Sequence, residues 1–342
     1  MDLVSVLTKL STVPGPAGAE RQAAELAREL LLPYMDEVNF DVLGNVVGTR
    51  LCGKPDAKRV LLEAHIDEVG FVVTGHRNGF LSLSNLGSID PRLLPGTRLR
   101  VLTDTPRIGV VAFLPPHVLS SAEMDKVTPL SDLVLDLGLS EEEAQAIPFG
   151  TPVVYDTEPL ALGDDLFCGK AMDNRASLAI LLLMLENLPK TLDFDLVILA
   201  SVQEELGLRG AITGGYQAAP DLAIALDVTF AHTPDSSPEQ TVKLGSGAAI
   251  GIGAVLDRNL SGKLTELAQT HNIPHQFEVL PSRTSTTADM LQVARAGVPT
   301  ALISLPLRYM HSPNELVNLR DMKAVSALLC AFLRDFGGDI HA

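Results

Sequence analysis

Phe194-Asp-Leu-Val-Ile-Leu-Ala-Ser-Val-Gln-Glu-Glu-Leu-Gly-Leu-Arg-Gly-Ala211 is an apolar run that stops at two adjacent carboxylates, Glu204 and Glu205. Leu196 to Ala200 and Val202 are interrupted only by Ser201, the pattern of a parallel strand covered by helices on both faces. Gly207 and Gly210 loosen the chain after the acids, and a helix is expected from Ala211 onward. This places Glu204 and Glu205 at the carboxyl end of a central strand, the edge of an open α/β sheet where ligands bind. Two acids there lose water and repel each other, so they require a proton or a cation. Taken alone, a Glu-Glu pair reads as a solvated turn; its company elsewhere in the chain decides otherwise.

Working outward, Arg59-Val-Leu-Leu-Glu-Ala-His-Ile-Asp-Glu-Val-Gly70 repeats the logic, an apolar strand ending in His65 and Asp67. Asp221 to Val228 is a third such strand, closed by Asp227, whose burial without a cation would be strongly unfavourable. Asp173 falls at the start of an apolar helix, Leu178 to Leu188, where backbone N–H groups favour a carboxylate. His311 follows the strand Pro299 to Leu305 in Arg308-Tyr-Met-His-Ser-Pro-Asn-Glu315. Each residue has a dull explanation by itself. Together, two histidines and three carboxylates, each at the end of an apolar run or beside a helix start, fit a pair of divalent ions of zinc, cobalt or manganese type that share one carboxylate. The extra acid of Glu204-Glu205 then supplies a general base.

The remaining segments set the architecture. Leu3 to Met35 reads as helix interrupted at Pro14-Gly15-Pro16, and Val38 to Leu51 reads as a hairpin turning at Gly44-Asn45. From about Val69 to Pro159 short alternating strands separated by Gly, Pro and Asn suggest a β-rich module, with a short acidic helix capped by Ser140. Strand and helix then alternate: Ala248 to Ala254, Arg258 to Asn272, Gln276 to Leu280, Thr287 to Ala296, and a last helix over Asp321 to Phe336. The expectation is a three-layer αβα sandwich formed by residues 1–68 and 159–342, with a barrel-like β-rich domain inserted over 69–158.

Composition narrows the function. Of 342 residues, 46% are hydrophobic and 20% charged, as in an ordinary folded protein, and no apolar run nears the length of a membrane span. No basic segment leads into an apolar stretch at the start, so a cytoplasmic protein without a signal peptide is expected. A net charge of −16 argues against a nucleic-acid partner. Cys52, Cys168 and Cys330 are far apart and suggest neither disulfides nor a thiolate metal site. Gly245-Ser-Gly247 and Gly251-Ile-Gly253 lack the spacing of a dinucleotide site.

As a set, Ala64-His-Ile-Asp-Glu68, Gly169-Lys-Ala-Met-Asp-Asn-Arg175, Gln203-Glu-Glu-Leu-Gly207, Ala225-Leu-Asp227, Gly297-Val-Pro-Thr300 and Arg308-Tyr-Met-His-Ser-Pro313 resemble the M42 metallo-aminopeptidases. These are the tetrahedral and glutamyl aminopeptidases, some of whose relatives carry endoglucanase labels. The resemblance implies that Asp173 bridges two ions, that His65 and Asp227 complete one and Glu205 and His311 the other, and that Glu204 is the general base toward a metal-activated water. It implies that Asp67 orients His65 or steers the local peptide. It further implies peptide substrates with a free N-terminus and homo-oligomers, from dimer to dodecamer, formed through the inserted domain. Two departures stand out. Members of the family commonly carry Gly-Thr-Asp-Ala where this chain has Ser285-Thr-Thr-Ala288, and Pro14 to Ala19 differs from the usual Gly-x-Ser-Gly. A deacylase of N-acyl amino acids, or a non-catalytic assembly protein holding a structural metal, are the competing readings.

Overall fold

The structure is a computed structural model that describes residues 1–120 and 126–336. Residues 121–125 of the expected inserted domain and 337–342 at the end of the expected sandwich lie outside the described residues. Strands are β1 (Glu37–Phe40), β2 (Val46–Arg50), β3 (Arg59–His65), β4 (Gly70–Arg77), β5 (Phe80–Leu86), β6 (Arg98–Val101), β7 (Arg107–Ala112), β8 (Val134–Asp136), β9 (Pro152–Tyr155), β10 (Leu160–Leu162), β11 (Leu166–Gly169), β12 (Asp195–Ser201), β13 (Leu222–Phe230), β14 (Ala248–Gly253), β15 (His275–Leu280), β16 (Thr300–Arg308) and β17 (Glu315–Asn318). The α-helices among the described residues are α1 (Leu3–Thr12), α2 (Arg21–Leu31), α3 (Glu141–Gln145), α4 (Met172–Asn187), α5 (Arg209–Ala218), α6 (Arg258–Thr270), α7 (Ala288–Leu291) and α8 (Leu319–Asp335).

One 11-stranded sheet runs β1-β2-β12-β3-β13-β16-β17-β11-β10, with β14 and β15 joined beside β16. Its centre is parallel: β12 on β3, β3 on β13, and β13 on β16. Side chains of a strand alternate between faces, and here both faces are apolar. Val60, Leu62, Ala64, Leu196, Ile198, Leu222 and Ile224 pack under α1, α2, α4, α6 and α8. Leu61, Val197, Leu199, Ala223, Ala225 and Leu302 pack under α5 and α7. This is the three-layer sandwich expected, and the continuous apolar runs exist because neither face meets water. Helix α4 is buried on nearly all sides, which explains the unbroken apolar run from Leu178 to Leu185.

Strands β4-β5-β8-β7-β6-β9 close a separate six-stranded barrel between Gly70 and Tyr155. Closure leaves no free edge, and Phe71, Leu81, Leu99, Val111, Leu135 and Val153 fill its interior. Helix α3 begins with a full capping box, the Ser140 hydroxyl accepting from the Glu143 N–H while the Glu143 carboxylate accepts from the Ser140 N–H.

Three local expectations are corrected. The β1–β2 hairpin pairs Phe40 with Val46, so its loop is the five residues 41–45 rather than a two-residue Gly-Asn turn. The Asp41 carboxylate accepts from the N–H groups of Leu43, Gly44 and Asn45 and shapes that loop. Helix α7 covers only Ala288–Leu291 of the helix expected to Ala296, giving way before Arg295 and Gly297, which adopt positive φ. Finally, β10, β11 and β17 extend the sheet where no strand was foreseen; each is three or four residues long, too short to carry a periodic signal.

Candidate active site

His65 ends β3, Asp227 lies near the end of β13, and Glu204 and Glu205 follow β12, so three parallel strands deliver polar side chains to one edge. His65, Asp227 and Ser201 occupy the α5/α7 face of the sheet, odd-numbered like Leu61, Ala225 and Leu199 beneath them. The turn after β12 is held by Asn45, fully buried, whose side chain accepts from the Val202 N–H and donates to the Gly210 carbonyl. A Cβ at Gly210 would lie 2.3 Å from the Asn45 Oδ1, so only glycine permits that clasp. Asp173 enters from the first turn of α4, where its backbone is non-helical (φ −78°, ψ 102°), and His311 from the loop after β16.

The distances bring the expected residues together. Asp173 presents Oδ1 to His65 Nε2 at 3.1 Å and Oδ2 to His311 Nε2 at 3.2 Å. Asp227 Oδ1 lies 3.9 Å from His65 Nε2, and Glu205 Oε1 lies 3.0 Å from His311 Nε2. Possible ligand atoms of His65, Glu204 and Asp227 lie within 4.8 Å of one another, as do those of His65, Asp173 and Glu205. Asp67, completely buried, accepts from the N–H groups of Glu204 at 3.0 Å and Glu205 at 3.1 Å, while its Oδ1 sits 3.5 Å from His65 Nδ1. It therefore touches both the histidine and the Glu-Glu turn.

Two acids that the sequence reading passed over complete the frame. Glu315 on β17 accepts from the backbone N–H of His311 at 2.7 Å and of Asp173 at 3.0 Å, tying the two together. Glu63 on β3 is wholly buried beneath His65, accepting hydroxyl hydrogen bonds from Ser201 and from Thr287. Thr287 is the residue that departs from the family's aspartate, and the structure supplies a reason: an acid there would face Glu63. Glu63 was readable as a polar break in an apolar run, whereas Glu315, directly after Ser312, Pro313 and Asn314, gave no such signal; the partners of both are remote in the chain.

Electrostatics follow from this crowding. Burial, with the charges of Glu205 and Asp173 beside it, pushes Glu204 up to about 8. Burial also raises Asp227 and Glu205. For Asp173 burial works upward, yet hydrogen bonds from His311 and His65 hold it well below the carboxylate range. Burial alone would lower His311; its contacts with Asp173 and Glu205 instead push it up to about 11. So many carboxylates drawn together and largely out of water call for positive charge.

The donor set fits divalent cations. His311 Nδ1 is committed to the Ser88 carbonyl at 2.7 Å, and His65 Nδ1 faces the Asp67 carbonyl at 3.3 Å, which leaves both Nε2 atoms aimed into the carboxylates. Fixing one ring nitrogen in this way is how metal-binding histidines are oriented. Nitrogen and carboxylate oxygen donors without thiolate suit zinc, cobalt or manganese. Ser88 follows barrel strand β5, so the inserted domain itself orients His311.

An open-edged α/β sandwich carrying an inserted barrel, with this cluster at its strand ends, is the plan of an aminopeptidase. A family model described as M42 glutamyl aminopeptidase matches residues 44–328, and the chain belongs to that family. It is 33% identical over 337 residues to the lysyl aminopeptidase of Pyrococcus furiosus, covering 96% of each chain. Among solved structures it resembles an aminopeptidase from Desulfurococcus kamchatkensis, with a TM-score of 0.91, 34% identity, and coverage of 97% and 94% of the two chains. It also resembles the Pyrococcus horikoshii TET1 peptidase, which can assemble into a tetrahedron or a large octahedral shell, at a TM-score of 0.84, 27% identity, and coverage of 97% and 99%. Among the described residues no helix is long and apolar enough to cross a membrane.

Proposed function

We propose that the protein is a two-cation aminopeptidase that removes N-terminal residues from peptides with a free α-amine. Asp173 would be shared between the two cations, His65 and Asp227 would hold one, Glu205 and His311 would hold the other, and Glu204 would serve as the general base. The observation that carries this reading is the Asp173 carboxylate, whose two oxygens face two different imidazoles at nearly equal distances. When bound, the cations polarise the scissile carbonyl and lower the pKa of water. Glu204 takes a proton from the attacking water and passes it to the leaving amine, the shuttle of a positioned carboxylate in general acid–base catalysis. Asp67 fixes the backbone of the Glu204-Glu205 turn and so aims the base. The carboxylate-rich strand ends attract the substrate's α-ammonium group, which favours free-amine peptides over N-acylated ones. Assembly into a homo-oligomer through the barrel of residues 69–158, and a cytoplasmic location, belong to the same proposal.

The test is Glu204→Gln in protein loaded with zinc or cobalt. Release of amino acids from aminoacyl anilides should fall by at least about a thousandfold, while metal content by mass spectrometry stays at two ions per chain. Retained turnover removes Glu204 from the reaction; loss of both ions moves it among the ligands. Wild-type cleavage of an N-acetylated peptide in preference to its free-amine form would make the protein a deacylase.

A further inference from the structure

The cluster opens into a cavity of about 760 Å³ whose wall beyond the proposed ligands and base carries three charged side chains, Glu239, Glu278 and Arg283. Glu239 and Arg283 are exposed, but Glu278 is partly buried. Its Oε1 accepts from the Thr229 hydroxyl and its Oε2 from the Ser304 hydroxyl, both at 2.5 Å. Both donors are neutral, and among the described residues no Lys, Arg or His forms an ion pair with it. A carboxylate positioned this way is held still and solvated by the protein while its charge is left open. Burial accordingly raises its pKa, a cost that an arriving cation removes.

Its position matters as much as its charge. Thr229 lies two residues after Asp227 on β13, on the same face of the sheet. At a strand rise of about 3.3 Å per residue, the threonine that holds Glu278 stands roughly 7 Å along the strand from Asp227. The four-carbon stem of a lysine spans that gap when its α-amine and scissile bond lie at the ligand cluster. Ser304 pairs with Asp227 across β13 and β16, so both hydroxyls that grip Glu278 belong to strands that build the proposed centre.

We infer that Glu278 is a specificity-determining residue that pairs with a cationic side chain at the substrate's N-terminus, making lysyl and arginyl peptides the preferred substrates. The inference rests on the aminopeptidase reading. It is tested with lysyl, norleucyl and glutamyl 4-nitroanilides on the metal-loaded protein, norleucine being lysine's near-isostere without the charge. The kcat/KM for lysyl should exceed that for norleucyl by about tenfold or more. Glu278→Gln should bring the ratio to within about twofold, and Glu278→Asp, which keeps the charge, should restore part of it. Calorimetric binding of lysinamide against norleucinamide should show the same preference and the same loss, and needs no turnover. Lysinamide preference without hydrolysis would keep the subsite and sink the peptidase reading. Equal hydrolysis and equal binding of the two compounds would sink the subsite alone. A glutamyl preference abolished by Arg283→Met would also overturn it, since the cavity would then be read by its arginine.

Discussion

Glu63 gives the sharpest quantitative test of the frame beneath the site. Its carboxylate has no solvent exposure, and burial pushes its pKa up to about 7, against the opposing pull of the Ser201 and Thr287 hydroxyls. A carboxyl whose folded pKa lies above its unfolded value of 4.5 binds its proton more tightly in the folded state. Stability is therefore lost as pH rises through 4.5, and the loss is complete once pH passes about 7. The shift from 4.5 to about 7 corresponds to about 3 kcal/mol at 1.36 kcal/mol per pKa unit.

Glu63→Gln removes the ionisation and leaves an amide able to pair with both hydroxyls. A chain of 342 residues unfolding as one unit has an unfolding entropy of about 0.7 kcal/mol/K near its midpoint, so 3 kcal/mol moves Tm by roughly 4–5 °C. Scanning calorimetry on chelated protein from pH 4.5 to 7.5 should show wild type falling behind the Gln variant by that amount across the range. Any cost of imperfect amide hydrogen bonds shifts the variant equally at every pH and drops out of the comparison. Adding zinc should shrink the effect, because cations at His65 favour the ionised carboxylate below it. Parallel curves, with a wild-type-to-variant gap constant to about 1 °C, refute the buried-charge account.

Other perturbations separate positioning from chemistry. Asp67→Asn leaves one of the Glu204 and Glu205 N–H groups facing an amide NH₂; kcat should fall about 10–100-fold with metal content unchanged, and full kcat would free Asp67 from any role in aiming the base. Glu315→Gln loosens the shared grip on Asp173 and His311, so zinc affinity measured by equilibrium dialysis should weaken about 10–100-fold; unchanged affinity would show the two backbones need no tie.

What could be read in the sequence divides by the range of the interaction. The strands β3, β12 and β13 announce themselves because both sheet faces are dry, so apolar runs persist until a polar residue marks the carboxyl edge. His65, Glu204, Glu205 and Asp227 stood out at the ends of such runs, Asp173 beside a helix start and His311 in a loop just beyond a strand end. Glu63 interrupts such a run too, while Glu315 follows a polar stretch, and the function of both is fixed by partners that no local pattern connects: Thr287 is 224 positions from Glu63, and Asp173 is 142 from Glu315. The Thr287 departure looked like a weakened motif when read along the chain. In three dimensions it is half of an exchange, since β3 already supplies a carboxylate at that spot and a second one would leave two like charges in a site without solvent. A motif position can therefore lose its acid without losing the site, provided the acid returns from another strand, and only the sheet register that brings β3 and β12 side by side, Ser201 opposite His65, reveals where it went.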